Sequence, residues 1–395
     1  MAGAKDRHAR VSTRLVYFIP GHHPAPPRWY RARYRREGRR QASLGGYQLA
    51  IENLADEDRW RATSLVDGTQ TRAEVRLLAW DDLIHQTLDR TPLQTFAIFL
   101  RSLVHGLRTG LPVRYGRARR AILIPVLYPY ALLLGLLALG ASAGWMLGSL
   151  LGAPAIATAL FGATLAVWFG LHRDRFHIAF LLLAYARFQL APGHMPQSLS
   201  RRIDLWVDQV RRDGPADEIL IVGHSAGVPL AQHLAARLRR AGMEGQMSLL
   251  GLGSVTPLIS LMPDADELRA DLCQLAHDMR LTWVEFGAPP DGMSFGLVDP
   301  VSVSGIHAPF GPLILSARFS DALSEETLAR QTLVTRHFQY LAAFDRPHSF
   351  DYTLITAGPL SLAQRFQRRA HSPSAIRKPA IKACLLYTSP SPRDA

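Results

Sequence analysis

Two kinds of apolar pattern alternate along the chain. Short apolar runs occur at 15–19, 75–80, 219–222, 247–252, 281–286 and 313–318. Runs of this length, rich in branched and aromatic residues, predict buried strands. Elsewhere apolar residues recur at three- and four-residue steps, over 83–108, 200–212, 228–240 and after 252 through about 279, which predicts helices. Asp81 and Asp82 head the 83–108 pattern, where short carboxylates cap a helix. The run at 15–19 ends in Pro20-Gly21 and is too short, without a small-residue cleavage site, to be a secretory signal. Residues 1–13 before it are polar and basic and are expected to be disordered.

A third pattern stands apart. Residues 121–171 contain no Asp, Glu, Lys, Arg or His. About 20 apolar residues cross a bilayer core, so this length predicts two spans, near 121–142 and 153–171, with a short turn between them. Arg114, Arg117, Arg119 and Arg120 precede the pair, and Arg173 and Arg175 follow it. Basic flanks on both sides put both ends in the cytoplasm. Trp145 and Trp168 suit the interfaces. Gly140, Gly144, Gly148 and Gly152 recur every four residues, a spacing that allows close helix contact within the hairpin or between two copies of the chain. The apolar helix predicted at 176–188 carries His177 and Arg187 and reads as interfacial or core rather than as a third span.

The chain therefore divides into a basic segment (1–13), an N-terminal part of a folded domain (14–115), an inserted membrane hairpin (116–175), a C-terminal part of the same domain (176–370) and a tail (371–383). Residues 384–395 read as a translated sequencing adaptor and are set aside from fold reasoning. Hydrophobic residues make up 48% of the chain and charged residues 19%, a membrane-leaning balance that the one charge-free segment explains. The net charge of +13 points to nucleic acid, anionic lipid or an acidic substrate. No recognised nucleic-acid module accompanies it, so no nucleic-acid partner is expected. The two cysteines are Cys273 and Cys384, the second inside the adaptor-like tail. One remaining cysteine excludes an internal disulfide and suits a reducing compartment.

The chemistry concentrates at Gly223-His224-Ser225-Ala226-Gly227, which fits G-x-S-x-G between a predicted strand and a predicted helix. A sharp turn there forces strained backbone angles on Ser225, needs small neighbours, lifts the hydroxyl out of the sheet and leaves the Ala226 N–H to stabilise an oxyanion. Paired His22 and His23 follow the first strand, but no ligand spacing such as H-E-x-x-H accompanies them. No metal or other cofactor is expected. Residues 28–40 interleave arginines with aromatics. Arg28, Arg31, Arg35 and Arg36 are candidates for contact with lipid phosphate or an anionic substrate, set against a plain solvated helical face.

On the pentapeptide in its strand–turn–helix setting, the chain resembles α/β-hydrolase fold proteins, and among them lipase- or esterase-like bacterial serine hydrolases with a membrane insertion. The segments 337–341, 345–347 and 350–352 are similar to ones those membrane hydrolases carry. The resemblance implies an α/β fold with a mostly parallel sheet flanked by helices, interrupted here by the two-helix hairpin. It implies catalytic residues in the order Ser, Asp or Glu, His. The acid falls in the loop after the strand at 281–286: Asp291, with Asp299 as the alternative and Glu285, inside the strand, less suited. The base falls beyond the last strand, which disfavours His307 and leaves His337, with His348 as the alternative. The second oxyanion donor is the N–H of His22, with His23 next. The expected activity is cleavage of an ester or thioester, of a lipid or small acyl ester, by a membrane-anchored serine hydrolase facing the cytoplasm. An acyltransferase using the same triad and a non-catalytic membrane scaffold of the same fold are the alternatives.

Overall fold

The computed structural model describes residues 10–88, 92–172 and 193–381. Eight strands form one sheet: β1 (Thr13–Ile19), β2 (Gln48–Asn53), β3 (Arg59–Val66), β4 (Thr69–Leu77), β5 (Glu218–His224), β6 (Met247–Leu252), β7 (Leu281–Gly287) and β8 (Leu313–Ser316). Their order is β2-β3-β4-β1-β5-β6-β7-β8. Pairing is parallel from β4 to β8, and antiparallel between β2 and β3 and between β3 and β4. The chain is thus an α/β protein with a mostly parallel sheet and flanking helices.

Residue alternation along the central strands explains why they read as continuous apolar runs. Tyr17, Ile19, Ile221 and Leu249 point into one core, with Val16, Phe18, Leu220, Val222 and Leu250 in the other. A strand covered on both faces has no polar side to show. The first core is closed by α7 (Gln197–Arg212) and α8 (Gly227–Arg240), the second by α1 (Pro27–Gly45) and the segment around Tyr340–Tyr352. At the start of β1, the buried Arg14 Nε meets Glu218 at 2.7 Å, and its other nitrogens donate to the carbonyls of Gly358 and Leu360. That ion pair pins the C-terminal segment under the central strands.

The edge hairpin β2–β3 was not predicted, because alternate residues are exposed and polar, as are the first residues of β4. The helical pattern at 83–108 resolves into α2 (Asp81–Leu88) and α3 (Pro92–Thr109), followed by α4 (Leu111–Ala118). The long helix expected before 279 is two short ones, Thr256–Ser260 and Asp266–Leu275.

The charge-free segment forms α5 (Leu123–Leu151) and α6 (Ala155–His172). The break expected near 142 is absent. The small residues there favour close packing instead: a Cβ on Gly140, Gly144 or Gly148 would collide with Gly162, Thr158 or Ala166 of α6, which runs antiparallel to it. Arg120–Leu151 is the one helix among the described residues long and apolar enough to cross a membrane, and 17% of its apolar window is buried against protein. The described apolar part of α6, Ala155–Trp168, is shorter than that. The pair of full spans expected from composition is therefore reduced to one qualifying helix with a shorter partner. The predicted helix at 176–188, Arg173, Arg175, residues 1–9 and the adaptor-like tail lie outside the described residues.

One buried group gives a stability prediction. Glu285 of β7 accepts hydrogen bonds at Oε1 from Trp283 Nε1 (2.9 Å) and Gln232 Nε2 (3.1 Å), while Oε2, against the Gly251 backbone, is buried without a partner among the described residues. Burial raises its carboxyl from 4.5 to about 8, against the opposing pull of those two hydrogen bonds. A carboxyl with a raised folded pKa contributes stability that is complete below about pH 4.5 and is lost as pH rises towards 8. Glu285→Gln copies the protonated form, so its Tm should exceed that of the wild type at pH 8 and match it near pH 4.5. Melting curves that coincide at both pH values would refute this.

Candidate active site

Ser225 sits between β5 and α8 in the left-handed region, at φ 56°. A non-glycine residue there is strained, by roughly 1–2 kcal/mol. The flanking glycines are a steric necessity. A Cβ on Gly227 would collide with the carbonyl oxygens of Ile19 and Pro20, and one on Gly223 would lie 2.5 Å from Val228 Cα. The Ser225 N–H donates to the Leu252 carbonyl at the end of β6 (2.9 Å), and the Ser225 carbonyl accepts from Val228 N (3.1 Å). Ala226 is the N-cap of α8, a position whose N–H has no acceptor within the helix.

The loop after β1 passes directly over the serine. A Cβ on Gly21 would lie 2.8 Å from Ser225 Cβ. Trp80 Nε1 donates to the Pro20 carbonyl (2.9 Å) and steadies this loop. The His23 N–H is committed to the Gly21 carbonyl at 2.7 Å. Burial, with help from His23, lowers the His22 imidazole to about 4, so it is neutral at pH 7. Among the described residues no group of three or more His, Cys, Asp or Glu side chains converges as a metal site would require.

Asp291, in the loop after β7, and His337, the last residue of the short helix Leu333–His337, form a buried pair. His337 Nδ1 donates to the two carboxylate oxygens at 3.0 and 2.9 Å. Because a carboxylate only accepts, this fixes the tautomer and turns Nε2 out as an acceptor. Nε2 is buried and has no hydrogen bond among the described residues. Tyr340 OH (3.0 Å) and Met293 N (3.0 Å) also donate to the acid. Burial alone would raise Asp291, but the His337 charge and the hydrogen bonds from His337, Ser294 and Met293 outweigh it and hold the carboxyl at about 2.

Gly253 brings the serine and the pair together. It follows Leu252, the acceptor for Ser225 N–H, and has φ 56°. Its missing Cβ would lie 2.7 Å from the Tyr340 ring, 3.1 Å from His337 Cε1 and 3.2 Å from Asp291 Oδ2. From the other side, His224 Nε2–H donates to the His337 carbonyl (3.1 Å), with the two rings 4.9 Å apart. Burial and the neighbouring His337 lower His224 to about 3, so it acts as a neutral strut.

The alternatives occupy structural posts. Asp299 caps the helix Pro300–Val303, accepting from Val301 N and Ser302 N. His348 is half-buried and accepts from Phe350 N at Nδ1 (3.1 Å), with its ring beside Phe344. Of the arginines singled out on α1, Arg31 donates to the Glu57 carbonyl, Arg35 to Asn53, Arg36 pairs with Glu37, and Arg28 is exposed. These hold the β2–β3 hairpin or face solvent. The arginine of α1 that reaches the site is Arg33, whose Nη2 donates to the Phe338 carbonyl (3.1 Å), one residue from His337.

Arg119 is the other unexpected member. Counted from sequence as a membrane flank, it instead clamps the acid's loop, donating from Nη2 to the Pro289 carbonyl (2.9 Å) and from Nη1 to those of Ser294 (2.7 Å) and Asp291 (3.3 Å). Gly296, at φ 60°, makes room for its guanidinium. Nothing local in the sequence marks this contact, since it joins positions about 170 residues apart. Truncation to Arg119→Ala strips three carbonyls of a charge-assisted donor, each worth roughly 1.5–3 kcal/mol. It should lower any turnover at this site at least tenfold and lower Tm, with Arg119→Lys intermediate; unchanged turnover would show that the loop holds Asp291 without it.

No protein-family model matches the chain, and neither any curated protein nor any solved structure matches it significantly.

Proposed function

We propose that the chain is a membrane-anchored serine hydrolase of the α/β-hydrolase type that cleaves an ester or thioester. The observation that carries this reading is the convergence of a left-handed Ser225 and a buried Asp291–His337 pair around Gly253, at the C-terminal ends of β5, β6 and β7. Ligands of open α/β sheets bind at this edge.

Ser225 Oγ attacks the acyl carbonyl carbon and its proton passes to His337 Nε2. Asp291 keeps Nδ1 protonated and stabilises the imidazolium. The oxyanion is held by the N–H groups of Ala226 and His22. Collapse expels the alcohol or thiol, which takes the proton from His337. Water, deprotonated by His337, then attacks the acyl-enzyme and releases the acid and Ser225. A helix as apolar and exposed as α5 supports membrane insertion, with α6 packed beside it and the basic end at Arg117 and Arg120 on the cytoplasmic side.

The test is pre-steady-state hydrolysis of p-nitrophenyl butyrate by the detergent-solubilised chain. A burst of about one nitrophenolate per protein, followed by slower turnover, is the expected result. A folded protein with neither burst nor turnover would favour a scaffold that merely retains the fold.

A further inference from the structure

Arg33 differs from every other arginine on its helix. Arg28 and Arg39 of the same helix are exposed. Arg31, Arg35, Arg36 and Arg40 donate to a carbonyl, an amide oxygen or a carboxylate of their own, on or near the surface. Arg33 turns inward. Its guanidinium lies 5.5 Å from the ring centroids of both Trp29 and Phe338, and its one hydrogen bond among the described residues goes to the Phe338 carbonyl. Nε is buried without a partner, and among the described residues Arg33 has no ion pair. The nearest acid on its own helix, Glu37, is committed to Arg36 and to the Ala343 N–H.

An uncompensated, desolvated cation is costly, because neither a ring face nor a carbonyl replaces a counter-ion. Burial accordingly pulls Arg33 below its ordinary value, with Glu37 only pushing back. Such a cost is commonly met at functional sites, where a ligand supplies the missing charge. The surroundings are those of the site already described. Phe338 follows His337, its ring is 5.1 Å from both His23 and His224, and Trp29 stacks near His23 at 5.0 Å. The Arg33 charge is close enough to help depress His224. Asp291, the carboxylate beside His337, is already engaged by His337, Tyr340 and Met293.

We propose that Arg33, walled by Trp29 and Phe338, binds an anionic group of the ester cleaved at Ser225, so that the substrates are acyl esters carrying a carboxylate or phosphate near the scissile bond. This rests on the reading of Ser225 as nucleophile. A planar guanidinium suits both anions, since each offers two oxygens in its plane. The aromatic walls exclude water and strengthen the pairing beyond that of a surface arginine.

The experiment compares kcat/KM for two matched pairs. p-Nitrophenyl hemisuccinate against p-nitrophenyl butyrate tests a carboxylate on the acyl side. An acyl glycerol phosphate against the matching monoacylglycerol tests a phosphate on the alcohol side. The expected result is that at least one anionic member exceeds its neutral partner by tenfold or more, that added salt narrows the ratio, and that Arg33→Gln brings it to about one. Arg33→Lys should keep part of the preference. Ratios at or below one for both pairs in the wild type overturn the proposal, whatever the variants do. So does a preference that Arg33→Gln leaves intact. If neither member of either pair is cleaved and Ser225 takes up no fluorophosphonate, the nucleophile reading falls, and this inference with it.

Discussion

Replacing Ser225 by alanine is expected to lower kcat by roughly 10⁵–10⁶-fold, the loss typical when a nucleophile acting in concert with its base is removed. The fold should survive, because Ser225 is held by its backbone, through the N–H to Leu252 and the carbonyl to Val228 N, which alanine keeps. Ser225→Gly separates function from stability. Glycine adopts φ 56° at no steric cost, so it should be equally inactive yet more stable than the wild type by roughly 1 kcal/mol. A serine retained in a strained conformation that glycine would relieve is the mark of a residue kept for its hydroxyl. Thermal melts and ester turnover on the three proteins check this. Residual activity above about 1% in Ser225→Ala, with contaminants excluded, would point to another nucleophile.

Asp291→Asn is the second large effect, a loss of roughly 10⁴-fold in kcat. The wild-type carboxylate accepts from His337 Nδ1, Tyr340 OH and Met293 N together. An amide has one acceptor and turns its NH₂ towards one of these donors. The imidazole then loses its fixed tautomer and the charge that stabilises its cation. Stability should follow. The folded carboxyl is held at about 2 against an ordinary 3.8, so it contributes stability that is present above about pH 4 and is lost as pH falls through 2. The asparagine variant should therefore be less stable than the wild type at pH 7, with the gap closing in acid. Chemical denaturation at pH 7 and near pH 2 reads both arms.

Much of this arrangement was legible in the chain, for local reasons. Strands β5, β6 and β7 are buried on both faces, so their apolar runs carry an unmistakable signal, and Gly223 is dictated by a collision with Val228 inside its own turn, whereas Gly227 is dictated by the Ile19 and Pro20 carbonyls across the fold. The edge hairpin β2–β3 was invisible because half-exposed strands carrying Arg and Glu lack a continuous apolar run. Asp291 and His337 came from a family resemblance, and only their distance of 2.9 Å and shared contact at Gly253 distinguish them from Asp299 and His348. Arg119 and Arg33 illustrate the limit of reading charge from sequence. Both belong to basic clusters that suggest lipid, yet each guanidinium turns inward to backbone carbonyls far away in the chain. Periodicity tells which face of a helix is apolar, but not which of its cations bends back into the fold.

Ser225 as an activated nucleophile with His337 as its base can be tested on the intact chain. The most direct measurement is intact-protein mass spectrometry after brief exposure to a fluorophosphonate, followed by peptide mapping. One adduct per chain on Ser225 is expected in the wild type, with labelling slowed at least a hundredfold in His337→Ala and no such slowing in His348→Ala. A folded wild-type protein that takes up no adduct, or one labelled at another serine, would contradict it.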